Sequence, residues 1–178
     1  MMVCLDTHII VWAIRKDCTN GQEEMVPRAT ALIHGLREEK AKIMVPACVL
    51  GEFLAAMHPS LYREVQAFME GRFFIAPYDG KAALIAGEMM YARGSFSELV
   101  KSSGIRRNEV RTDAEIIATA IAHKADKIIT QDLRHFRKLA AGRIRIEGVP
   151  ELAPQQGYLN LGVSDVIRES RGGQGGTS

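Results

Sequence analysis

Four acidic residues stand in surroundings where an uncompensated carboxylate is costly. Asp6 follows the apolar run Val3, Cys4, Leu5 and precedes Ile9, Ile10 and Val11. Glu52 lies in the almost wholly apolar stretch VPACVLGEFLA, residues 45–55. Asp113 opens TDAEIIATAIAHKAD, and Asp132 closes KIITQD. An acid among apolar neighbours must be hydrogen-bonded, paired or bound to a cation. Each has a plainer use as well. Asp6 and Asp132 follow strand-like runs and could cap the helices after them. Glu52 could pair with an arginine. Thr112 and Glu115 form a Thr-x-x-Glu capping box, which puts Asp113 at the first helical position. Asp113 and Glu115 are two residues apart, so about 200° separates them around a helix. Glu115 is therefore assigned to capping and Asp113 to the site. Taken together, the four acids offer an all-oxygen donor set, suited to Mg²⁺ or Mn²⁺ rather than zinc. Such an ion activates water and neutralises charge at a phosphate undergoing hydrolysis.

Carboxylates from four separate stretches can meet only if the fold collects them. Five short runs rich in β-branched or aromatic residues read as strands: 3–5, 42–45, 73–76, 127–130 and 143–146. The last alternates basic and apolar residues, as a half-exposed edge strand does. Helical periodicity fills the gaps at 28–39, 47–57, 61–69, 80–93, 112–124 and 133–141, with a further helix beginning near Thr7. Strands alternating with helices in this way predict parallel pairing through right-handed crossovers. The expected fold is a three-layer α/β/α domain with a doubly wound parallel sheet of about five strands. Ligand sites in such sheets lie at the carboxyl ends of the strands, where Asp6 and Asp132 fall. Residues 1–154 are read as this domain, and 155–178 as an extension whose Gly-rich end, GGQGGTS, buries little surface. The stretch 94–111 is read as either a partly ordered loop or a short helix around 96–100.

Composition narrows the class. With 47% hydrophobic and 25% charged residues, the chain can build a core and is not a disordered polyelectrolyte. Three cysteines at irregular spacing form no disulfide framework or zinc motif, which suits a reducing cytoplasm. The apolar N-terminus is interrupted by Asp6 and His8, is too short to span a bilayer and lacks a basic leader; no membrane partner is expected. The net charge is +2, but residues 101–145 hold eleven Lys or Arg against five Asp or Glu, a local +6 that leaves −4 for the remainder. That asymmetry fits either a polyanion surface or a solvated face balanced in three dimensions. Arg106, Arg107, Arg111 and Arg134 are the candidate contacts for such a polyanion, RNA among them. His8 and His135 are read as surface or packing residues, and Trp12 and the phenylalanines as core rather than a stacking platform.

Four pieces in order carry a family resemblance: Leu5-Asp6-Thr7, Gly51-Glu52-Phe53-Leu54, Thr112 to Ala118, and Thr130-Gln131-Asp132 followed by Phe136. On these the chain resembles PIN-domain nucleases, particularly the VapC-type toxins of type II toxin–antitoxin pairs. The resemblance implies a metal-bound acidic pocket of Asp6, Glu52, Asp113 and Asp132, supported by Thr7 and Thr130. It further implies endonucleolytic cleavage of RNA with Mg²⁺ or Mn²⁺, a cognate antitoxin that covers the site, and a homodimer. His135 stands where many relatives carry another acid. A haloacid dehalogenase-type phosphatase would need an acid at position 8, which is His8. A receiver domain would need adjacent acids after the first strand. The remaining alternative is a non-catalytic RNA-binding or interaction domain on the same fold.

Overall fold

The structure is a computed structural model that describes residues 1–91 and 107–152. The chain starts with β1 (Met2–Leu5), a short helix α1 (Thr7–Ile10) and a π-helical turn, Val11–Arg15. Then come α2 (Met25–Glu38), β2 (Lys42–Pro46), α3 (Ala47–Ala55), α4 (Tyr62–Glu70) and β3 (Phe74–Ala76). The remaining elements are α5 (Gly80–Tyr91), α6 (Arg107–Ala122), β4 (Lys127–Ile129), α7 (Leu133–Ala140) and β5 (Arg145–Glu147).

The five strands form one sheet in the order β3-β2-β1-β4-β5, and every pairing is parallel. β1 and β4 are buried, as central parallel strands must be when helices cover both faces. The chain first winds outward from β1 to β3, then crosses back to β4 and on to β5. Right-handed crossovers put the helices of those two excursions on opposite faces, giving the three-layer, doubly wound fold expected from the sequence. The reversal of winding lies between β1 and β4. Strands that diverge there open a crevice at their carboxyl ends. β5 is an edge strand that pairs only with β4, as its alternating sequence suggested.

The core is one continuous cluster. Trp12, Phe53 and Phe136 are the largest fully buried side chains, packed with Leu5, Ile9, Ile33, Met44, Ile116 and Ile117. Cys4, Cys18 and Cys48 are free thiols. Burial pushes the Cys48 thiol up to about 12, so it is protonated at neutral pH. No described helix is long and apolar enough to cross a membrane.

Two boundaries differ informatively from the sequence reading. Pro27 does not precede α2 but lies inside its first turn, where its missing N–H breaks no helical bond. The helix expected at 112–124 begins five residues earlier, at Arg107. Thr112 is consequently not an N-cap: its hydroxyl donates to the Asn108 carbonyl one turn back, at 3.2 Å. Glu115 does not close a capping box but accepts from the Arg111 guanidinium at 3.0 Å. The Thr-x-x-Glu pattern misled because the same spacing also places residues on one face inside a helix. The short helix sought around 96–100 and the extension from 155 lie outside the described residues.

Candidate active site

Asp6 is the first residue past β1, at the switch between β1 and β4. Its amide donates to the Ile129 carbonyl at 3.1 Å, continuing the β1–β4 ladder by one bond. Its carboxylate is only 4% exposed, yet neither oxygen is idle. Oδ1 accepts from the Thr7 amide at 2.7 Å, which caps α1. Oδ2 accepts from Thr130 Oγ1 at 2.8 Å. Capping and site-lining are thus combined in one side chain rather than being alternatives.

Thr130 is fully buried immediately after β4 and serves two acids. While donating to Asp6, its hydroxyl accepts from the Asp132 amide at 3.0 Å. Asp132 caps α7 by accepting from the His135 amide at 3.2 Å. The other Asp132 oxygen meets His135 Nδ1 in a close contact. His135 is therefore the group that holds Asp132. Glu52 projects from the second turn of α3, and its Oε2 accepts from Thr7 Oγ1 at 2.5 Å. Thr7 and Thr130 thus link three of the acids. Thr130→Val is expected to remove both hydroxyl contacts at once and leave the buried Asp6 oxygen unsatisfied, costing about 1–3 kcal/mol. Urea unfolding measures this; a loss below roughly 0.5 kcal/mol would show that the link carries no stability.

Asp113 approaches from α6. The sequence reading put it at a helix start, but it lies mid-helix, and the face it shares is what matters. Glu109, Thr112, Asp113 and Ile116 recur at one-turn spacing and line one side of a cavity of about 570 Å³. Asp6, Thr7, His8, Glu52, Asp132 and Phe136 line it as well. All four predicted acids therefore border one cavity, while Glu115 does not. Glu109 is a fifth acid on its wall that the sequence reading missed, because it fell in the stretch taken as loop. The spacing Glu109, Thr112, Asp113, Ile116 would have found it if the helical period had been continued backwards.

Crowding leaves an electrostatic trace. Desolvation, then repulsion from Asp6, Asp132 and Glu52, pushes the Asp113 carboxyl up to about 7. His8, mostly exposed at the cavity mouth, has Nδ1 at 3.8 Å from Asp6 Oδ2. The neighbouring Asp6 carboxylate raises its pKa against an opposing effect of desolvation. When protonated, the ring offsets part of the negative charge around Asp113.

Among the described residues, no three His, Cys, Asp or Glu side chains stand together as a ready-made metal cage. Their oxygens are held by Thr7, Thr130 and His135. The donor chemistry nevertheless fits a hard divalent cation: four carboxylates, no thiolate, and a carboxyl driven toward neutrality by its neighbours.

Of the candidate RNA contacts, Arg111 is exposed but tied to Glu115, and Arg134 is exposed on α7. Arg106 and the side chain of Arg107 lie outside the described residues.

No curated protein matches the chain. Solved structures do. A chain of VapBC2 from Rickettsia felis, bound to a DNA fragment from the promoter, is 20% identical with a TM-score of 0.57; the match covers 83% of this chain and 98% of that one. A chain of DNA-bound VapBC from Salmonella typhimurium is 19% identical with a TM-score of 0.56, covering 84% and 99%. At such identities the likeness is one of fold. The PIN domain family model matches residues 3–142, a span running from β1 through the last cavity-lining element. A parallel sheet in this strand order, acids gathered at its switch point and a family match over residues 3–142 have one conclusion: the chain belongs to the PIN-domain family.

Proposed function

We propose that this protein is a Mg²⁺- or Mn²⁺-dependent endoribonuclease, the toxin of a toxin–antitoxin pair. The observation that carries the reading is the convergence of Asp6, Glu52, Asp113 and Asp132, from four separate elements, on one cavity. Asp113 and Asp132 there raise no obstacle to a cation; the repulsion that lifts Asp113 to about 7 is what a cation relieves.

The four carboxylates would hold the ion. Once bound, it supplies activation of water and neutralisation of phosphate charge. The chain's own residues do the positioning. Thr130 fixes Asp6 and the Asp132 backbone relative to each other, His135 orients the Asp132 carboxylate, and Thr7 aims Glu52. Water adds to phosphorus as the bond to the leaving ribose oxygen breaks; the water gives up a proton to solvent and the leaving oxygen takes one from it. Burial of Asp6 at the cavity wall keeps its contacts from being diluted by bulk solvent.

Partners follow from the same reading. RNA is the substrate, and the solved relatives, being VapBC complexes, support an antitoxin that occludes the cavity. The active form is a homodimer. Light scattering at micromolar concentration should give twice the mass of one chain; a monomer throughout removes the dimer without touching the chemistry.

The test is cleavage of a single RNA by purified protein in Mg²⁺, in Mn²⁺ and in EDTA. Cleavage in both metals and none in EDTA is expected. RNA binding without cleavage under every condition would instead make the chain a non-catalytic RNA-binding domain on a PIN fold.

A further inference from the structure

The arginines nearest Asp113 in sequence do not supply the open positive surface of the described chain. Arg111 is engaged by Glu115 at 3.0 Å. The opposite side of the cavity is different. From Leu133 to Ile146 the sequence carries five Arg or Lys and no Asp or Glu. α7 takes up the first part of that run. It buries Phe136, Leu139 and Ala140 against the core and exposes Arg134, Arg137 and Lys138. Those three fall within about 100° of arc, so they form a ridge rather than a scatter. Arg134 and Arg137 make no ion pair with any described acid, whereas Arg143 meets Glu88 at 3.4 Å and Arg145 meets Glu147 at 2.5 Å.

Two features argue against an idle solvated face. Arg134 sits in the first turn of α7, where no acidic residue offsets it. The helix dipole is positive at that end and disfavours a cation there. The position therefore gains nothing from the helix dipole. The helix is also anchored to the cavity: its N-cap is Asp132, and Phe136 of the same helix lines the cavity wall. Arg134 follows Asp132 by two residues, and Arg137 lies about one turn further along the helix.

We propose that the outer face of α7 is a track for the RNA backbone, with Arg134 and Arg137 contacting successive phosphates outside the scissile position. The track extends the nuclease reading and rests on it for the identity of the polyanion. Its contacts are to phosphates, so it sets affinity and register and carries no base specificity.

Equilibrium binding separates the track from the chemistry. A labelled single-stranded RNA is titrated in EDTA, so no cleavage occurs, with wild type, Arg134→Gln/Arg137→Gln, and the control Lys40→Gln/Arg63→Gln. The control removes the same charge from exposed positions elsewhere. The track variant should bind on the order of tenfold more weakly, and its dependence on salt should flatten by about 0.7 for each lost phosphate contact. The control should match wild type. Equal weakening in both variants would reduce the effect to net charge and overturn the track. Unchanged RNA affinity would overturn it as well, and if a parallel titration with poly-glutamate is weakened in the track variant while RNA binding is not, the ridge belongs to an acidic protein instead. If wild type fails to cleave RNA in Mg²⁺ yet the track variant loses binding, the nuclease reading falls and the track stands.

Discussion

Asp6→Asn is expected to lose at least about a hundredfold of RNA cleavage while the folded protein remains as stable as wild type, or more so, without metal. The reason is that this substitution separates charge from architecture. The Asn side-chain oxygen can still accept from the Thr7 amide at the start of α1, and Asn caps helices as well as Asp does. Opposite Thr130, an amide N–H replaces a carboxylate oxygen. The threonine hydroxyl can rotate and accept, since it has two lone pairs. What disappears is one negative charge beside Asp113. Relief of that repulsion should leave the apo variant more stable by on the order of 1 kcal/mol. Added Mn²⁺ should raise the melting temperature of wild type by linkage and that of the variant much less. Thermal melts of both proteins with and without Mn²⁺, paired with cleavage of one RNA, decide the matter. Equal metal stabilisation and equal cleavage would reduce Asp6 to its capping role.

The second large effect is a stability that depends on pH through Asp113. Its carboxyl is pushed up to about 7, first by burial and then by Asp6, Asp132 and Glu52. A folded-state value above the unfolded one means that the folded chain binds this proton more tightly. The benefit is complete below the unfolded value near 4 and drains away as pH rises to about 7; above that the chain bears the whole cost of an ionised, crowded Asp113. Asp113→Asn carries no such cost. In metal-free buffer the variant should therefore gain on wild type between about pH 4 and pH 7 and then hold a constant advantage of order 1–3 kcal/mol. Saturating Mn²⁺ should erase the difference or reverse it, because the cation favours the ionised carboxylate that the variant lacks. Urea midpoints of both proteins at a series of pH values provide the measurement. Parallel curves without metal would mean that Asp113 is not crowded by the other acids. The same variant should be inactive on RNA, which distinguishes a gain in stability from a gain in function.

Much of this protein is readable from local sequence because its elements are short and its signals are local. The buried runs at 3–5 and 127–130 predict central strands, since a strand covered on both faces needs no polar alternation. Asp6 and Asp132 are conspicuous because each ends such a run. The α/β alternation determines a parallel, doubly wound sheet, and the arginine–isoleucine alternation at 143–146 marks an edge strand. Strand order is another matter. Nothing in the local pattern says that β4 rather than β3 pairs with β1; that depends on which helices pack together after the chain reverses direction.

The site divides along the same line. Residue types and order pointed to four carboxylates, but their surroundings came from contacts across 45 to 124 residues of chain: Thr7 with Glu52, and Asp6 with Thr130. Such pairings are invisible to any window along the sequence. The capping box at Thr112 and Glu115 failed for a related reason. A capping pattern is satisfied by local bonds only if the helix begins there, and α6 begins at Arg107, one and a half turns earlier. That extension brought Glu109 onto the cavity face and tied Arg111 to Glu115. Sequence by itself determined which residues could do the chemistry and which runs would be strands and helices, because those properties are set by side-chain chemistry and by periods of two and 3.6 residues. Only the tertiary structure decided which acids face each other, which hydroxyls hold them and which arginines remain open to a polyanion, because each of those depends on distances between segments that the chain closes only when its core packs.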